Sequence, residues 1–154
     1  MFKKILFCTD FSKNSHWAFT YALNLAKNYK SKLLILHVTP EPYQPEQFSI
    51  YLPPEKIEEL RISQKKELKK ELNTHYLRKL KGFKRFQVLL KEGEPFVEII
   101  QTARKESVDL IVMGTHGRTG LDHVFFGSTA EKVVRKSPYP VLTIRLPGKR
   151  FKMP

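Results

Sequence analysis

The chain has 154 residues, enough to bury a core in one compact domain without staples, and its 41% hydrophobic content excludes a globally disordered state. The single cysteine, Cys8, cannot form an intrachain disulfide, and no apolar stretch approaches the roughly 18–20 residues that a membrane span needs. The net charge of +13 comes from 28 Lys and Arg against 15 Asp and Glu, concentrated between Lys56 and Arg85 and in the tail Lys149-Arg150-Phe151-Lys152. That distribution describes a solvated helix face and a basic terminus, so no nucleic-acid partner is expected.

Met1-Phe2-Lys3-Lys4 followed by Ile5-Leu6-Phe7 has the start of a signal peptide, but the apolar run stops at Thr9-Asp10 without a small-residue cleavage site. Lys4 to Thr9 is therefore expected to be a buried strand, and the cytoplasm is the expected compartment. A helix follows from about Ser12 to Tyr29, with Trp17, Ala18, Tyr21, Ala22, Leu25 and Ala26 recurring at three- and four-residue spacing and Ser12 as N-cap. Leu33 to Val38 is a second strand. Pro40, Pro42, Pro45, Pro53 and Pro54 then break regular structure and predict a long loop over residues 39–54. The next helix is predicted from Pro54 to Leu80, with Ile57, Leu60, Leu68, Leu72, Tyr76 and Leu80 on one face.

Phe86 to Leu90 is the third strand, and Pro95 opens a helix to Lys105, its missing N–H costing nothing in a first turn. Asp109 to Met113 is the fourth strand. A glycine-rich stretch, a helix from Ser128 to about Arg135 and a last strand from Val141 to Arg145 complete the chain. Apolar strands separated by helices imply an α/β fold with a single doubly wound, five-stranded parallel sheet, helices on both faces and strand order 3-2-1-4-5. In such sheets ligands lie beyond the carboxyl ends of the strands where the order reverses, which directs attention to the loops after Thr9 and Met113. One domain over residues 1–148 and a basic tail over 149–154 are expected.

The stretch Gly114-Thr115-His116-Gly117-Arg118-Thr119-Gly120 continues to Gly127-Ser128. Glycines let backbone N–H groups approach an anion, and the helix after Gly127 brings unpaired N–H groups to the same place. The stretch ends in no Gly-Lys-Ser/Thr, and its glycines do not make a dinucleotide fingerprint. Ser128 to Glu131 also has the pattern of a capping box, in which the two side chains satisfy helix-end N–H groups. Asp10, for its part, could simply cap the helix that follows it. Arg118 can assist phosphates or lie in solvent. His116 and His123 are too weak a pair for a zinc site, and no catalytic constellation is recognisable among the loop's polar residues.

Gly114-x-x-Gly117, nine residues, and then Gly127-Ser128 resembles the ATP-binding signature of the universal stress protein family. Lys3-Lys4-Ile5-Leu6 with Thr9-Asp10-Phe11-Ser12, Leu36-His37-Val38, Asp109 to Gly114, and Pro140-Val141-Leu142 are similar to that family's other landmarks, in order across the chain. The resemblance implies an adenine nucleotide alpha hydrolase-like fold that binds ATP, with or without Mg²⁺. It places Asp10 on the ribose hydroxyls, the backbone at Thr9 and Val38 along the adenine, and Met113 against the nucleoside. Gly114 and Gly117 would admit the ribose and phosphates, with Arg118 nearby, and Gly127, Ser128, Thr129 and Ala130 would close on the phosphate tail. The chain departs from the pattern at Cys8, where a proline or small residue is common, at Thr129 in place of an aliphatic, and at Ala130, which lacks a hydroxyl.

The function implied is a nucleotide-dependent regulatory or interaction module in stress response, with at most slow or partner-dependent hydrolysis. The competing readings are an interaction module with an empty pocket and a basic nucleic-acid-associated protein. Two further expectations concern shape. Residues 39–54 would form a lid on the ligand side, and the apolar edge Val141 to Arg145 would pair with a second copy in a homodimer.

Overall fold

The computed structural model describes residues 1–40, 51–116 and 127–147. Strands β1 (Lys4–Thr9), β2 (Lys32–Thr39), β3 (Phe86–Glu92), β4 (Leu110–Gly114) and β5 (Val141–Ile144) form one sheet in the order β3-β2-β1-β4-β5. Every pairing is parallel: Phe7, for example, sits beside Ile35 on one side and Val112 on the other. Helices α1 (Lys13–Asn28), α2 (Pro54–His75), α3 (Pro95–Glu106) and α4 (Ser128–Lys136) fill the connections. The sheet is thus the expected one, in the expected order.

Both faces of the central strands are buried, which is why the runs Ile5 to Cys8, Leu33 to Leu36 and Leu110 to Met113 are apolar. Ile5 and Phe7 point into a cluster with α1 and the end of α2, including Phe19, Ala22, Leu72 and Tyr76. Leu6 and Cys8 point the other way, into a cluster with α3 and α4 that includes Ile99, Ala103, Ala130 and Val133. Asp109 lies just before β4, and its carboxylate accepts hydrogen bonds from the Lys3 and Lys4 N–H groups at 2.7 and 2.8 Å, tying the starts of two neighbouring strands. Helices α1 and α3 are followed by left-handed residues, Lys30 at φ 54° and Ser107 at φ 53°, so both exits use a conformation that glycine usually supplies.

The long helix departs from expectation. It ends at His75, and Leu77–Leu80 forms a 3-10 turn. The tighter turn sets Leu77 and Leu80 on one side, and both pack on the core. Within α2 itself only Leu72 is buried, while Leu60 is 43% exposed. The apolar stripe from Ile57 to Leu80 therefore meets the core only over its last part. The predicted capping box is also overturned. Gly127 is the N-cap of α4 and Ser128 is its first helical residue, so the Ser128 hydroxyl does not cap the helix. Glu131 instead places its carboxylate 3.6 Å from Arg135, an i,i+4 pair.

Gly114 has a packing duty. A Cβ built there would lie 3.0 Å from both the backbone carbon and the Cβ of Asn14, at the start of α1. The strand end and the helix touch because this residue has no side chain. Gly114→Ala is expected to lower the unfolding free energy by about 1–3 kcal/mol, as overpacking does; a urea midpoint equal to wild type would show that α1 yields freely.

His16 on α1 stacks on His75 of α2, ring centroids 3.8 Å apart and planes 14° from parallel. Its pKa lies below the usual histidine value of 6.5, first because burial disfavours the imidazolium, then because His75 and Lys79 add positive charge; Glu71 and Asp10 pull the other way. The unfolded chain therefore takes up the proton more readily. The stability this group contributes is whole above pH 6.5 and is lost as the pH falls through the lower folded value. Melting temperatures of His16→Gln should fall less steeply than those of wild type between pH 7 and 5, and parallel profiles would remove His16 as the cause.

Candidate functional site

A cavity of about 580 Å³ opens beyond the carboxyl ends of the strands. That is the volume of an ordinary small-molecule site. Its floor lies at the reversal of strand order, where β1 is flanked by β2 and β4. Thr9 and Asp10 enter from the end of β1, Val38 from β2, Met113 and Gly114 from β4, and Gly127, Ser128, Thr129 and Ala130 from the start of α4. Nine of the eleven residues singled out in the sequence thus share one cavity. Gly117 and Arg118 lie outside the described residues, as do most of the 39–54 segment and the basic tail.

The β1–α1 loop is held from within. The Phe11 N–H donates to Thr9 Oγ1 at 2.9 Å, and the Ser12 N–H donates to Asp10 Oδ1 at 3.0 Å. Ser12 is the N-cap of α1, its side chain accepting from the Ser15 N–H, so Asp10 turns the approach to the helix and does not cap it. Phe11 sits at φ 61°, an uncommon conformation for a bulky residue, and one that collects at functional loops. Its ring is buried and lies 4.6 Å from that of His37.

His37 is a buried histidine with its needs met. Nδ1 lies 2.9 Å from the Thr9 carbonyl, and since a carbonyl only accepts, Nδ1 carries the proton. The Thr9 hydroxyl also meets Ser15 Oγ at 3.1 Å and the Tyr76 hydroxyl. Burial holds the Tyr76 phenol up to about 12, so it stays a neutral donor. The same effect pushes the Cys8 thiol far up, leaving it inert in the cavity wall.

The fourth side was not foreseen. Gln64, Glu67, Leu68 and Glu71 of α2 line the cavity, together with Pro95 and Ile99 of α3. Residues 64, 67, 68 and 71 do share one helical face, a spacing visible in the sequence, but nothing in the sequence says that this face turns to the strand ends. At the start of α4, the Gly127 N–H donates to the Thr115 carbonyl at 2.7 Å, which joins the two described ends of the glycine stretch. Thr115 in turn donates to Ile144, extending the pairing of β4 with β5. The first residues of α4, whose leading N–H groups have no partner within the helix itself, line the cavity. Ala130, by contrast, is 3% exposed and packs in the core with Val133.

This arrangement has counterparts. The profile described as the Universal stress protein family matches residues 1–145. The universal stress protein MJ0531 of Methanocaldococcus jannaschii is 38% identical, the match covering 97% of this chain and 85% of that protein. The universal stress protein YxiE of Bacillus subtilis is 34% identical over 94% of this chain and all of its own. Among solved structures, that of MJ0577 superposes with a TM-score of 0.77 at 30% identity, covering 97% of this chain and 99% of the other. The universal stress protein UspA of Lactobacillus plantarum gives 0.76 at 26% identity, over 93% and 97%. The sheet order, the cavity at its reversal and the glycine-spaced loop thus agree with sequence likeness along almost the whole chain, which belongs to the universal stress protein family.

Proposed function

We propose that the chain binds ATP, or another adenine nucleotide, in this cavity and works as a nucleotide-dependent regulatory or interaction module in stress response. The observation that carries the reading is the convergence on one cavity of residues from β1, β2, β4 and α4 that resemble the family's nucleotide-binding positions. The division of labour follows from their chemistry. Thr9, Val38 and Met113 offer an apolar and backbone wall to a base. Asp10 offers a carboxylate to ribose hydroxyls. The N-terminus of α4 favours phosphate through its leading N–H groups and dipole, and the resemblance assigns Gly117 and Arg118 to the same end. If Mg²⁺ accompanies the phosphates, it supplies charge neutralisation there. No catalytic residue is assigned, so hydrolysis is slow or partner-dependent at most. A solved universal stress protein in complex with cAMP superposes with a TM-score of 0.57 at 20% identity, so the fold admits an adenine nucleotide in that protein.

We further propose a homodimer through β5. That strand is an edge of the sheet, and Val141, Leu142 and Thr143 remain partly exposed. A second copy paired along it would satisfy the outward backbone groups.

Calorimetric titration with ATP, ADP, AMP and cAMP tests the first proposal, alongside a Gly127→Val/Ser128→Ala variant. Gly127 has φ −68° and ψ 154°, a conformation open to any residue, so valine adds bulk without backbone strain. Losing charge-assisted contacts worth ~1.5–3 kcal/mol should weaken ATP by about tenfold or more. Equal affinity in the two proteins would break the assignment. Sedimentation velocity tests the second: a mass that rises from one to two chains with concentration is expected, and a monomer at every concentration would overturn it.

A further inference from the structure

Where the first turns of α1 meet the last turn of α2, three metal-ligating side chains converge. One ligand atom from each of His16, Glu71 and His75 lies within 4.8 Å of the other two. Glu71 Oε2 is 3.4 Å from His75 Nε2, an i,i+4 pair on one helical face, and His16 stacks on His75 from the neighbouring helix. Their surroundings leave a need unmet: Nε2 of His16 is buried with no hydrogen-bond partner among the described residues. Buried polar atoms are nearly always paired, and each exception asks for a cause. Two stacked imidazoles give one another no hydrogen bond, whereas a cation would engage the nitrogen lone pairs of both and the carboxylate besides.

The donor set selects the ion. Two imidazoles and a carboxylate suit zinc and like first-row ions, while magnesium and calcium call for oxygen ligands throughout. The Glu71 and His75 side chains are 30% and 31% exposed, so an ion has access from solvent. Zinc bonds of ~2.0–2.1 Å in a tetrahedron hold ligand atoms roughly 3.3 Å apart, so an ion would require the two rings to turn out of their stack until their in-plane lone pairs converge.

We propose that His16, Glu71 and His75 form a binding site for a divalent transition metal of the zinc type, with a fourth position open to water. Glu71 also lines the large cavity, so the ion would sit at its rim. The site stands independently of the nucleotide reading, because none of its ligands is one of the residues assigned there.

The test uses the untagged full chain, stripped with chelator and titrated with Co²⁺ alone. One Co²⁺ per chain should bind with the intense visible bands of a four-coordinate ion, be displaced by Zn²⁺, and be unmoved by Mg²⁺. Glu71→Gln and His75→Asn should each weaken Co²⁺ by at least about tenfold, a loss that even outer-shell changes produce at metal sites. In the unaltered protein Zn²⁺ should shift the ring-nitrogen resonances of His16 and His75 together, a readout that needs no variant to fold. Absence of the visible bands at stoichiometric Co²⁺ would overturn the site. So would undiminished affinity in both variants, or Zn²⁺ shifts confined to other histidines.

Discussion

The constraint on which this molecule depends is that β1 has a parallel neighbour on each side, β2 to one side and β4 to the other. A parallel strand cannot return by a hairpin, so each crossover must pass over a face of the sheet, and right-handedness fixes which. The chain therefore leaves β1 for one face and leaves β4 for the other. The alternation within β1 records this, with Ile5 and Phe7 under α1 and α2 and Leu6 and Cys8 under α3 and α4. Between the two departures a crevice is unavoidable, and the backbone at its mouth carries groups that no ladder satisfies. A polar ligand there meets a need that the topology itself creates.

The crevice is then walled by one buried polar junction. Tyr76 is fully buried, its ring against Phe7 and Phe19 and its hydroxyl with Thr9 and Ser15. It lies just past the end of α2, so the same contacts that satisfy its hydroxyl also bring Gln64, Glu67, Leu68 and Glu71 to the cavity. The Thr9 hydroxyl accepts from Phe11 as well, and thereby holds the left-handed turn in place. Shape of the loop, position of the wall and packing of the core meet at a single threonine.

The sheet was legible because strands buried on both faces are written in consecutive apolar residues, and the helices because their apolar positions recur every three or four. What escaped reading has physical reasons too. A capping box is a local pattern, but whether Ser128 is cap or first helical residue depends on where Gly127 is held, and the Thr115 carbonyl holds it. The break at Tyr76 follows from burying a large ring at that point, a tertiary demand that overrides a continuous helical period. Gly114 was read as room for a ligand, and its missing side chain also makes room for Asn14. Proximity across the chain was the least legible: the stacking of His16 on His75 joins two helices whose spacing only the folded sheet sets.

Charge shows most plainly why a site cannot be read from composition. The chain as a whole carries +13, yet among the described residues the charged side chains lining the cavity are the carboxylates of Asp10, Glu67 and Glu71. The basic excess lies elsewhere, much of it in Arg78, Lys79, Lys81, Lys84 and Arg85 just past α2, while on α2 itself Lys56 meets Glu59 and Lys70 meets Glu67 in solvent. Exposed pairs of that kind contribute little, and over more than a Debye length of ~8–10 Å their field is largely screened. An anionic group in this cavity would therefore gain little from the net charge. It would need donors aimed at it within a few ångströms, of the kind that the first N–H groups of a helix such as α4 can offer. Carboxylates would do the complementary work: by accepting hydrogen bonds from hydroxyls and repelling bare phosphate, they would give a ligand with a sugar at one end and a negative tail at the other one favoured direction in which to lie.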